Sequence, residues 1–286
     1  MRTIKQPGPA SAERIQWVEA RGRRVNVVLE PGLRLLDAVQ GVFAAHGLVS
    51  GVLRLTEGAF SPFAYVMPAP SDTPRHVAFY SETHRPPGLT RVQGGALTVG
   101  LRDGAPTYHC HALWTEADGR PGGGHVLPEE TFVAEPIHVD GIGLDGAAFA
   151  VEPDAETNFA LLGPIAQTGA GSQADRQVFA LRLRPNQDLL QALEGFCRER
   201  GIAAANIHGG VGSIIGARYQ DGSRVEAFAT EMAILSGRIG PDEDGEPKAE
   251  LDVALVDHTG AVSGGRLVRG DNPVLITLEV VLEPCD

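Results

Sequence analysis

The chain has 286 residues, long enough for two ordinary domains that each bury a core, and its 43% hydrophobic and 21% charged residues are ordinary for a soluble globular protein. No apolar run approaches the ~20 residues that a bilayer-crossing helix needs, which excludes a helical membrane span. With 36 acidic against 24 basic side chains the formal charge is −12, a field that repels phosphate backbones and counts against DNA as the main partner.

The start, Met1-Arg2-Thr3-Ile4-Lys5-Gln6-Pro7, lacks the apolar core of a secretory signal. Cys110, Cys197 and Cys285 are too scattered for a disulfide framework or a Cys-based zinc site, so the expectation is a reducing, cytoplasmic setting. After a polar leader, Arg24-Val25-Asn26-Val27-Val28-Leu29 reads as a strand and Glu30-Pro31-Gly32 as the turn into a helix. That helix runs from residue 33 to about 46, with Leu35, Leu36, Val39, Val42 and Phe43 at helical spacing and Gly47 as its stop. Pro, Ser and Thr cluster between residues 68 and 87, which predicts a long loop of the kind that borders sites. Residues 146–177 read as a connecting segment. Its middle, Asn158-Phe159-Ala160-Leu161-Leu162, is apolar enough to dock on a domain, and its end, Thr168-Gly169-Ala170-Gly171-Ser172-Gln173, has the composition of a flexible linker.

The second half repeats the first. Val178-Phe179-Ala180-Leu181-Arg182-Leu183 is again a strand, Arg184-Pro185-Asn186 a turn, and Leu189, Leu190, Leu193, Phe196 and Cys197 mark a helix closed by Gly201. Further on, Tyr108-His109-Cys110-His111-Ala112-Leu113-Trp114 with Gly123-Gly124-His125 has a counterpart in Ala249-Glu250-Leu251-Asp252-Val253-Ala254-Leu255 with Gly264-Gly265-Arg266. The fold class expected is α+β, with a first domain over 1–145 and a second over 178–286.

Only the first copy keeps its histidines. On a strand, alternate side chains share a face, so His109 and His111 project together, and a hairpin turning at Asp118-Gly119 brings His125 back beside them. Three neutral imidazoles with an open fourth position form the ligand set of a catalytic zinc site, where a bound water is acidified. The expected cofactor is zinc or another divalent transition metal, and the expected ligand a small molecule. In the second copy Glu250, Asp252 and Arg266 read as a carboxylate–guanidinium cluster. Glu57, Glu116, Glu135 and His138 are candidates for a general base or for a partner to the histidines, without a ranking among them. Gly209-Gly210-Val211-Gly212-Ser213 precedes a strand rather than a helix, so it reads as close backbone packing at a bulge and not as a phosphate loop. Gly122-Gly123-Gly124 reads the same way, and its lack of side chains predicts room for a ligand beside His125.

These residues resemble the plant and prokaryote conserved domain, also written PPC or PCC, twice over. The marks are Leu183-Arg184-Pro185, Gly212-Ser213, Leu235-Ser236-Gly237, Asp257-His258-Thr259-Gly260, Gly264-Gly265 and the closing Thr277-Leu278-Glu279-Val280-Val281-Leu282; the first half keeps H-x-H and G-G-H and has His138 where the second has Glu279. The resemblance implies two tandem compact α+β units, each a mostly antiparallel sheet with a packed helix, and a homo-oligomer, with a trimer favoured. Relatives carry a DNA-binding label taken from plant proteins whose DNA contact is a separate AT-hook. Arg21-Gly22-Arg23-Arg24 lacks the proline of such a hook and Gly119-Arg120-Pro121 lacks its first arginine. A DNA-associated regulator is therefore the alternative function, and an interaction module without ligand a third.

Overall fold

The computed structural model describes residues 1–169, 171 and 174–285. The first half opens with β1 (Ile15–Leu29) and α1 (Leu35–Ala44) and continues through β2 (Gly51–Leu55), β3 (Ala59–Phe60), β4 (Tyr65–Val66), β5 (Pro68–Pro70) and β6 (Ala78–Tyr80). It is completed by β7 (Thr90–Arg102), β8 (Ala105–Thr115), β9 (Pro121–Val126), β10 (Val133–Glu135) and β11 (Ile137–Asp145). Strands β12 (Ala147–Pro153) and β13 (Ala160–Ala166) lead to the second half: β14 (Arg176–Leu183), α2 (Leu189–Glu199), β15 (Ala205–Arg218), β16 (Arg224–Pro241), β17 (Pro247–Asp257), β18 (Val262–Arg266) and β19 (Val274–Pro284). The pairing is antiparallel throughout the large sheet except between β12 and β7. No helix among the described residues is long and apolar enough to cross a membrane.

Both halves pair their strands in one order. In the first it runs β1, β11, β2, β7, β8, β9. In the second it runs β14, β19, β15, β16, β17, β18. Each half packs a helix over its own apolar cluster: Leu35, Leu36, Val39 and Phe43 in one, Leu189, Leu190, Leu193, Phe196 and Cys197 in the other. Helix α2 starts at Asp188, whose carboxylate accepts the Gln191 backbone N–H at 3.0 Å, and stops where Gly201 takes a left-handed φ of 65°. Helix α1 has no side-chain cap; the Leu35 N–H is satisfied by the Thr131 carbonyl instead.

Three features depart from what composition implies. Strand β1 belongs to both halves: residues 15–22 pair with β14 and residues 21–29 with β11, so the leader docks on the second half rather than hanging free. The proline-rich stretch after residue 68 contains a small hairpin, β5 against β6. The connecting segment is itself strand, β12 and β13 forming a hairpin on the edge of β7, and Leu162 is buried as its apolar run requires. The linker-like end falls partly at Ala170, Ser172 and Gln173, outside the described residues.

A third apolar cluster joins the halves, combining Val52, Ile142 and Phe149 with Val178, Ala180 and Val281. Gly209, at φ 65°, sits in this seam, where a Cβ on it would lie 2.5 Å from that of Val52, and Gly210, at φ 120°, packs against Ile234 of the second half. The two glycines thus permit close approach at the irregularity in β15, and no phosphate loop is present there.

Candidate metal centre

The centre starts from strand alternation. His109 and His111 lie on one face of β8, and β9 returns with His125 directly opposite His111. The turn between them uses Gly119 at φ 87°. One ring nitrogen from each histidine lies within 4.8 Å of the others. The space beside Gly122, Gly123 and Gly124 is taken by Trp114, Leu113, Val256 and the Val66 carbonyl, which corrects the expectation of ligand room there.

The outward nitrogens of two rings are fixed by the second half. Nδ1 of His109 donates to Glu279 Oε2 at 2.5 Å, and Nδ1 of His111 donates to the Met232 carbonyl at 3.0 Å. Those bonds leave both Nε2 atoms with an inward lone pair, 3.1 Å apart. Two lone pairs facing at that distance repel unless a metal ion or a shared proton lies between them. Two ligands on one tetrahedral ion at ~2.0–2.1 Å would stand about 3.3 Å apart, so the spacing fits a shared metal. Nδ1 of His125 and Oε2 of Glu231 are buried without a hydrogen-bond partner. Glu231 Oε1 lies 3.8 Å from His111 Nε2. The donor set is thus three imidazoles, with one buried carboxylate beside them.

Behind Glu279 runs a buried chain of hydrogen bonds. The Thr277 hydroxyl donates to Glu279 Oε1 at 3.0 Å, Arg182 Nε donates to Thr277 at 3.2 Å, and Arg182 Nη2 donates to Asp154 Oδ2 at 2.7 Å. Arg184 also bonds Asp154. Burial works to raise the Asp154 carboxyl, but the Arg182 guanidinium and the Thr157 donors hold it at about 2. Such outer partners lock ring orientation at metal sites.

None of the four acid–base candidates named from sequence lies at the cluster. Glu116 is bound by Tyr65 and Arg120, Glu135 by Arg91, and Glu57 and His138 are exposed. The carboxylates that do reach it, Glu231 and Glu279, come from the other half of the chain. In the second half Arg266 lies 2.9 Å from Asp252 and 3.5 Å from Glu250, an ion-pair cluster as expected.

Residues 170–286 match the Plants and Prokaryotes Conserved (PCC) domain family. The second half carries a PCC domain. A bifunctional GlmU protein of Synechococcus sp. (strain JA-3-3Ab) is 34% identical over 110 residues, 37% of this chain and 17% of that protein. A second, from strain JA-2-3B'a(2-13), is 32% identical over 110 residues and is matched over 16% of its length, so the chain spans about a sixth of the curated relatives it resembles. Among solved structures, a PPC protein of Pyrococcus horikoshii aligns at TM-score 0.41 and 17% identity, covering 52% of this chain and 97% of that one. A metal-containing protein of Archaeoglobus fulgidus aligns at 0.40 and 18%, covering 51% and 96%. The PCC domain supplies Glu231, Met232 and Glu279; the three histidines precede it in sequence.

Burial, helped by the neighbouring imidazoles, pushes His111 well below the usual histidine range and His125 down to about 3. His208, at the seam, is lowered mainly by burial. In the unfolded chain these rings take up protons near pH 6.5, so stability of the metal-free protein falls as pH drops through that value, by up to ~1.4 kcal/mol per pH unit for each ring that stays neutral. Glu231 acts the other way, because burial pushes its carboxyl well above 4.5 and the folded state then holds the extra proton. One such carboxyl offsets one ring of three. The urea midpoint of chelator-treated protein is therefore expected to fall from pH 7 to pH 5; a flat or rising midpoint would mean that the rings are charged or solvated.

Proposed function

We propose that the chain is two PCC-type units, the first degenerate in sequence, joined so that His109, His111 and His125 of one unit and Glu231 of the other form a divalent transition-metal centre, with zinc favoured, for a small-molecule ligand. The observation that carries this reading is the pair of inward Nε2 atoms at 3.1 Å, each with its Nδ1 committed to an acceptor. The shared pairing order of the halves supports the duplication. An ion held there supplies Lewis acidity toward a carbonyl or a coordinated water. Glu279 keeps His109 in its ligating tautomer, and Glu231, with one oxygen unpartnered, is placed to accept and return a proton. The DNA-associated alternative gains nothing from the basic tetrapeptide, since it lies in β1 with Gly22 buried and Arg24 paired to Glu283.

Elemental analysis of protein purified without a metal-affinity tag tests the reading. About one zinc or similar ion per chain is expected. A folded wild type that contains none, and takes up none when zinc is added, would overturn it.

A further inference from the structure

Two clefts meet at the cluster. One is walled by Phe79, Phe159, Leu161 and Leu275 and reaches His109, His111 and Glu231. The other reaches His109 and His125 and is bordered by Arg102 and Thr107. Tyr80, His109 and Leu161 line both, so the clefts adjoin at the histidines.

The apolar cleft is walled by rings that remain partly open to solvent. Phe79 is 48% exposed and Tyr80 41%, although Phe79 stacks on Phe159 at 5.9 Å and Tyr80 tilts against His125 at 5.3 Å. The hairpin β5–β6 carries Phe79 and Tyr80 there, in the segment that distinguishes the first half from the second. Exposed aromatic faces beside a polar centre are a surface for a flat or apolar group.

Arg102 gives the other end its chemistry. Thr98 stands opposite His109 across the β7–β8 ladder, and alternation puts Thr98, Gly100 and Arg102 on one face. Arg102 therefore shares the histidines' face, about 13 Å along the strand from Thr98, a span that its long side chain shortens. Its guanidinium has no carboxylate partner among the described residues, whereas Glu129 and Glu279 on the same cleft are engaged by Arg34 and His109. The guanidinium fork pairs carboxylate and phosphate alike, but its single charge balances a monoanion and leaves a dianionic phosphate uncompensated in a cleft that also holds Glu129 and Glu279.

We propose that the site takes a small organic monocarboxylate with an apolar or aromatic substituent. Arg102 pairs the carboxylate, the substituent lies against Phe79 and Phe159, and the atoms between them pass the histidine cluster. This rests on the metal-centre reading only for what happens to those middle atoms.

The test is calorimetric titration of the zinc-supplied full chain, and of the chelator-treated chain, with N-benzoylglycine, its uncharged amide and phenyl phosphate. The acid is expected to bind about tenfold or more tightly than the amide. Arg102→Gln, at an exposed hairpin end, should erase that preference while thermal stability and zinc uptake stay as in wild type. Equal binding of acid and amide, no binding of either, tighter binding of phenyl phosphate, or a preference that survives Arg102→Gln would overturn the proposal. If the wild type takes up no zinc, the metal reading fails by itself, and the acid–amide comparison in chelator-treated protein still decides this one.

Discussion

Replacing His111 with alanine is expected to weaken zinc binding by about a hundredfold or more at pH 7, because it removes one of three imidazole ligands from the centre of the triangle. His111 lies in register with His125 and beside His109. The change also removes the hydrogen bond from His111 Nδ1 to the Met232 carbonyl, worth about 0.5–1.5 kcal/mol. Competition with a chromophoric chelator measures the affinity, and circular dichroism of the metal-free variant separates ligand loss from unfolding. A folded His111→Ala protein that still binds zinc with wild-type affinity would show that the rings are structural.

Asp154→Ala should give the largest loss of stability, about 3–5 kcal/mol by urea denaturation. Arg182 is 2% exposed and Asp154 5%, so removing the carboxylate leaves a guanidinium uncompensated inside the protein and frees Arg184 as well. The loss should reach the metal centre, because Arg182 bonds Thr277, Thr277 bonds Glu279, and Glu279 orients His109. Zinc affinity is thus expected to fall in the same variant. A cost below about 1 kcal/mol would mean that water or Glu279 absorbs the freed charge.

The histidine triangle was legible in the sequence because it depends on two local rules. Period-two alternation puts His109 and His111 on one face, and a turn at Gly119 fixes where His125 returns. Its carboxylates were not legible, since Glu279 is 170 positions from His109 and is brought there by the seam between halves. Glu57, Glu116, Glu135 and His138 stood closer in sequence or in the same half, yet their side chains are exposed or paired elsewhere. The only hint was the correspondence of Glu279 with His138, which marked the position without indicating that it faces the other unit's site. The helices followed from apolar spacing and glycine stops, to within two residues. The hairpin β5–β6 was hidden by its prolines and serines, which read as loop, and the docking of residues 15–22 was hidden because nothing local indicates which half a shared strand will join.

The most direct measurement is a crystal structure of protein grown with zinc, with anomalous data collected across the zinc edge. One peak is expected, bonded at ~2.0–2.1 Å to Nε2 of His109, Nε2 of His111 and a ring nitrogen of His125, with Glu279 still on His109 Nδ1. Three rings turned away from one another, or a zinc peak held by other residues, would contradict it.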